Sequence, residues 1–94
     1  MNKDFFASFE QRKQDFIDRA GAPGDEVRAE LVLGTGRVLV VDKVVETAEA
    51  WVQADVRDVD DESVVLSVVL PYYQINHVLF EKRKPRTPHA GFSR

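Results

Sequence analysis

Five carboxylates crowd one short stretch of the chain: Asp55, Asp58, Asp60, Asp61 and Glu62. Paired carboxylates can exchange a proton as general acid and base. Here no nucleophile stands near them in the sequence, and Asp60-Asp61-Glu62 lacks the spacing of a calcium loop. The competing reading is a solvated acidic turn. Three aromatics, Trp51, Tyr72 and Tyr73, could stack on nucleic-acid bases, an interaction worth about 1–3 kcal/mol per base. Each could equally pack in a core or a subunit interface. Adjacent residues of extended chain point opposite ways, so one tyrosine is expected inside and the other outside. Lys82, Arg83, Lys84 and Arg86 form a basic cluster that can pair with phosphates in a salt-dependent, sequence-blind way, or sit idle in solvent. A metal role for His77 would have only His89 as a second imidazole, so no metal site is expected. The chain has no cysteine, hence no disulfide and no thiolate ligand. Gly34-Thr35-Gly36 precedes no helix and is not a phosphate-binding loop. No Ser-His-Asp or Cys-His set can be assembled. The expectation is a non-enzymatic protein without a cofactor.

The elements that would position these residues follow from periodicity. Residues 3–20 read as a helix, with Phe5, Phe9, Phe16 and Ala20 on one face and Phe6 and Ile17 alongside. Asn2 is placed to cap its start. Gly21 is expected as a left-handed stop, with Pro23 preventing continuation. Such an aromatic face must be buried, and the helix is expected to close one end of a β core. In the strand after Asp25, Val27, Ala29, Leu31 and Leu33 alternate with Arg28, Glu30 and Val32. Gly34-Thr35-Gly36 is a turn. Residues 38–45 are valine-rich on both faces. Residues 51–59 alternate again, with Val52, Ala54 and Val56 on one side. An acidic turn then leads to strands 64–70 and 75–81, separated by Pro71-Tyr72-Tyr73-Gln74. Five short strands with tight turns predict a small closed barrel or a sandwich.

The chain has 94 residues, one domain's worth, of which 44% are hydrophobic and 31% charged. A core of this size is only marginally stable alone, which favours self-association. The net charge of −3 conceals an asymmetry. Residues 1–81 hold 8 basic and 16 acidic groups, net −8, and residues 82–94 carry +5. An acidic body argues against a surface that grips nucleic acid everywhere. The domain is expected over residues 1–81, with helix 3–20 and barrel 25–81. Residues 82–94 are expected as a basic, proline-containing tail. Charges interrupt the N-terminal apolar residues, so neither a signal peptide nor a membrane span is expected, and a cytoplasmic location is the default.

One helix followed by five strands, with a glycine turn after the first strand and a one-turn break before the last, resembles the Sm-like (LSm/Hfq-like) family. The first Sm motif would run through VRAELVLGTGRVLVV, around the loop glycine Gly36. The second would be VVLPYYQINHVLF, with Ile75 and Val78 three apart. The resemblance covers residues 3–81. It implies a mainly β fold with one N-terminal α-helix and a five-stranded, strongly bent SH3-like/Sm-like barrel. It also implies homo-oligomeric rings and RNA binding. Several positions depart from the family pattern. Tyr72 and Tyr73 stand where Hfq-like members carry a lysine–histidine pair facing the pore. Val41 stands at about the second, strand-bending glycine. Glu46 or Glu49 only approximates the usual aspartate. Ala50 replaces an expected asparagine, next to Trp51 at the base-stacking aromatic.

Two functions are therefore expected to compete. One is a ring binding RNA or another single-stranded nucleic acid through Trp51, Tyr72, Tyr73, Lys82, Arg83, Lys84 and Arg86. The other is an oligomer of the same fold that binds a protein partner or only itself.

Overall fold

A computed structural model describes residues 1–83; Lys84, Arg86 and His89, singled out above, lie outside them. The first helix, α1 (Lys3–Ala7), starts where Asn2 Oδ1 accepts a hydrogen bond from the Phe5 amide at 3.0 Å. The single helix expected over residues 3–20 is broken at Ser8, and α2 (Phe9–Ala20) begins beyond it. The Ser8 hydroxyl donates to the carbonyls of Asp4 and Phe5 at 3.0 and 3.1 Å, drawing the backbone into a turn. This break changes which aromatics face inward. Phe6 and Phe9 are 3% and 2% exposed, while Phe5 and Phe16, both expected in the core, are only half-buried. Phe5 instead lies under the Arg12 guanidinium, 5.0 Å from its ring centroid.

The α2 helix ends at Gly21, whose amide donates to the Ile17 carbonyl at 2.9 Å. Gly21 is extended (φ −80°), not left-handed as expected. Glycine is needed there for another reason: a Cβ would lie 2.7 Å from the Ile17 carbonyl oxygen. Lys82 Nζ donates to the Ala20 carbonyl at 2.8 Å, covering the helix C-terminus with a cation.

The five strands are β1 (Glu26–Leu33), β2 (Val38–Thr47), β3 (Trp51–Asp58), β4 (Asp61–Pro71) and β5 (Ile75–Arg83). A single turn of 3₁₀ helix, Tyr72–Gln74, joins the last two. They form one antiparallel sheet in the order β4-β3-β2-β1-β5. The sheet is open. β4 and β5 share no ladder, so the closed barrel of the expectation is found only as an open five-stranded sheet with both edges free. The β1–β2 turn relies on Gly36 at φ +93°, a conformation open to glycine at no steric cost. Two register shifts interrupt the β2–β3 ladder, at Val41/Lys43 and Val44/Glu46. Such bulges bend a strand and increase its twist.

The inner face carries Ala29, Leu31, Leu39, Val41, Val52, Ala54, Val56 and Leu70, closed over by Phe6 and Phe9. Phe6 stacks on Tyr72 at 5.7 Å, Phe9 meets Phe80 at 5.6 Å, and Phe16 stacks on the same Phe80 ring at 6.2 Å. Truncation of Phe9 should therefore cost about 3–5 kcal/mol. The half-buried Phe16 should cost clearly less. Urea denaturation of Phe9→Ala and Phe16→Ala measures both; equal losses would contradict the inward turn of the helix at Ser8.

Candidate functional site

The two tyrosines of the β4–β5 connection separate into one buried and one exposed, as expected, although the connection is a 3₁₀ turn and not the extended chain of that expectation. Tyr72 is buried, with its hydroxyl donating to the Ala48 carbonyl at 2.7 Å. Burial, and secondarily the nearby Glu49 charge, raises its pKa above the ordinary phenol value. Tyr72 is thus a core residue and has no free face for a base. Tyr73 is the opposite case, 85% exposed. Its connection is held to the β1–β2 turn by the Gly34 amide, which donates to the Gln74 carbonyl at 2.9 Å. Asn76 and His77 follow, also exposed. Trp51 opens β3, half-buried opposite Pro71.

Lys82 and Arg83 lie at the far end of β5 from Tyr73. They are the last residues of β5 and not the start of a tail. Eight residue steps separate Arg83 from Ile75, roughly 26 Å of extended strand. Tyr73 and the basic candidates are not brought together. Lys82 is occupied at the end of α2, and Arg83 pairs with Glu81 on its own strand.

The acidic stretch also resolves into separate roles. Asp58 accepts hydrogen bonds from the Asp60 amide and from both Nε and Nη2 of Arg37. These bonds, the amide first, hold its pKa below the usual carboxylate value. A carboxylate so held stays charged near neutrality and is a poor proton shuttle. Asp60 and Asp61 are exposed. Glu62 turns onto the outer face of the sheet. Among the described residues no three His, Cys, Asp or Glu side chains are grouped to hold a metal ion. No described helix is long and apolar enough to cross a membrane.

The outer face holds an ionic network not anticipated above. Arg28 on β1 bonds Glu30 on its own strand at 2.9 Å and Glu62 on β4, also at 2.9 Å. Arg57 on β3 grips Asp42 on β2 in a fork, at 2.7–3.1 Å, and lies 3.7 Å from Glu62. That fork is the main reason the Arg57 pKa is raised. Glu30 is 8% exposed, and Val40, its ladder neighbour on the outer face, is buried too. Arg28, Val40, Asp42, Arg57 and Glu62, with Arg83, border an open cleft of 840 Å³. Arg28 and Glu30 could have been paired from the sequence, since residues two apart on a strand share a face. Glu62 could not, because it arrives from three strands away. Comparison with known protein families, curated proteins and solved structures finds no match.

The network makes a stability prediction. Arg28→Ala strands the buried Glu30 carboxylate and should cost roughly 3 kcal/mol. Arg28→Ala combined with Glu30→Gln should recover part of that loss. A thermal melt in which the double variant is no more stable than the single one would contradict the pairing.

Proposed function

We propose that this chain is a non-enzymatic, Sm-like protein whose working form is an oligomeric ring assembled edge to edge. The observation that carries the reading is the pair of bare edges, β4 and β5, at the two ends of one open sheet. An unpaired edge is a template for another chain unless it is blunted by charge, proline or cover. Between Ser63 and Leu70, β4 has no charge and no proline, and it exposes Val64, Val65 and Val69. Joining β4 of one copy to β5 of the next uses two different patches. Such a heterologous contact closes into a ring when the rotation permits. The strand order, the N-terminal helix and the one-turn break before β5 support the Sm-like reading. Barrel-like curvature belongs to the same proposal. It is favoured by the bulges in β2 and by the Arg28–Glu62 pair, which bridges strands roughly 14 Å apart in a flat sheet.

A second reading, that the ring binds single-stranded RNA, has one specific observation behind it: the outward ring of Tyr73 beside Asn76 and His77. The described residues hold ten Lys and Arg against sixteen Asp and Glu, so any affinity would lean on stacking. The alternative, an oligomer that takes a protein partner or only itself, draws on that same acidic balance.

Val69, 56% exposed, can be changed without touching the core. Val69→Lys should abolish assembly in light scattering while leaving the circular dichroism of the sheet intact. An assembled Val69→Lys protein would count against the β4 edge. For the second reading, fluorescence anisotropy with U-rich and A-rich oligonucleotides should show binding that Tyr73→Ala weakens by tenfold or more, about 1–3 kcal/mol. No binding at low salt by the assembled protein would leave the protein-interaction reading.

A further inference from the structure

We infer that the outer-face cleft is a binding site for a single carboxylate group, which the chain's own Glu62 occupies as a displaceable stand-in. The inference does not depend on assembly, because every residue it uses belongs to one copy.

Two guanidinium groups converge on Glu62. Arg28 Nη2 lies 2.9 Å from one carboxylate oxygen, and Arg57 Nη1 lies 3.7 Å from the other. Both contacts are ion pairs without the alignment of a hydrogen bond. The remaining partners of these arginines are held more firmly. Arg28 Nε donates to Glu30 at 2.9 Å, and Arg57 donates from Nε and Nη2 to Asp42 at 2.7–3.1 Å. When Glu62 swings away, each guanidinium keeps one carboxylate that fixes its orientation. Arg28 Nη2 and Arg57 Nη1 then offer their N–H groups to the place that Glu62 leaves.

Glu62 is also poorly fastened through its backbone. The β3–β4 ladder runs in one register from Trp51–Pro71 to Arg57–Val65, and then jumps to Asp58–Asp61. Glu62, Ser63 and Val64 have no partner in that ladder. β4 is an edge strand, so no strand of the same chain lies on their other side. These three residues can shift without breaking a ladder pair. The Glu62 side chain is 38% exposed, against 17% for Arg28. Exposed ion pairs hold weakly, so Glu62 is away from the arginines in an appreciable fraction of chains. The cleft therefore combines fixed donors with a loosely held occupant.

Charge selects the ligand. Guanidinium groups suit carboxylates and phosphates alike, so shape alone does not decide. With Glu62 withdrawn, the cleft is bordered by the cations Lys13, Arg28, Arg57 and Arg83 and by the acids Glu26 and Asp42. Glu30 and Glu81 add two more acids, as partners of Arg28 and Arg83. Four positive charges then face four negative ones. A carboxylate brings back the one negative charge that Glu62 supplied. A phosphate dianion would add a second, on a body already rich in acids. The carboxylate has two sources, a free organic acid or an acidic side chain of a partner protein, and the test separates them.

The Nε–H resonances of Arg28 and Arg57 in isotope-labelled protein report on the site directly. The probes are acetate, a blocked Ala-Glu-Ala peptide and inorganic phosphate, each titrated at constant ionic strength. Glu62→Gln should show saturable shifts at both arginines and bind roughly threefold more tightly than wild type, whose affinity is reduced by the fraction of chains with Glu62 in place. Glu62→Ala removes the same carboxylate and should behave alike. Glu10→Gln takes the same charge from an exposed position on α2 and should bind as wild type does. Adding Arg57→Gln to Glu62→Gln should abolish the shift at Arg28. Saturation by the peptide alone assigns the carboxylate to a protein partner; saturation by acetate as well assigns it to a free acid. The inference is overturned if neither probe saturates, or if neither Glu62 variant binds more tightly than wild type. Phosphate that binds more tightly than acetate would overturn the choice of a carboxylate.

Discussion

The stack of Phe6 on Tyr72, backed by Phe9 on Phe80, is the contact on which the rest of the architecture depends. A single five-stranded sheet has one apolar face and cannot bury it alone. In this chain two short helices supply the cover, through the buried rings of Phe6 and Phe9. The stack also fixes the β4–β5 connection. Tyr72 belongs both to the aromatic cluster and, through its hydroxyl, to the loop before β3. With Tyr72 held inward, its neighbour Tyr73 must face solvent. The most exposed aromatic among the described residues is thus placed by a buried contact of the core.

The outer face is organised by charge. Arg28 and Arg57 connect carboxylates on β1, β2 and β4, and bury Val40 among them. A buried ion pair is weak evidence of net stability, because desolvation offsets most of its attraction. Its better-attested effect is on geometry. Glu62 reaches Arg28 only if the start of β4 leans across the sheet, so the pair ties one edge strand to the far side. The acidic stretch that looked like one cluster is divided among these tasks: Asp58 to Arg37, Glu62 to the network, Asp60 and Asp61 to solvent.

Much of this was legible in the sequence, for physical reasons that differ by element. Val52, Ala54 and Val56 alternate cleanly because β3 is paired on both sides and has one buried face. All five strands were placed within a few residues, by alternation in β1 and β3 and by apolar runs between turns in the others. Gly36 marked its turn because a positive φ restricts the choice of residue. The helix was misread where a local bond overrode periodicity: the Ser8 hydroxyl breaks it and brings Phe6 inward in place of Phe16. Gly21 was correctly seen as a stop but for the wrong reason, since a close carbonyl and not a left-handed backbone demands it. Lys82 and Arg83 read as tail because they are charged, yet an edge strand with one face to solvent accommodates charge readily. Of the candidate site, that one tyrosine is inside and the other outside was legible, although the connection is a 3₁₀ turn and not the extended chain assumed. Which of them is inside was not, and neither was the distance between Tyr73 and the basic residues, because both depend on strand order.

An open sheet with two unprotected edges is the constraint that leads from fold to function. The proposed ring, and any nucleic-acid face it carries, presume that those edges find each other. The most direct test is the mass of the wild-type protein in solution by multi-angle light scattering at tens of micromolar. The account predicts one discrete species at an integral multiple of the 10.7 kDa chain. A stable species at 10.7 kDa itself would contradict it.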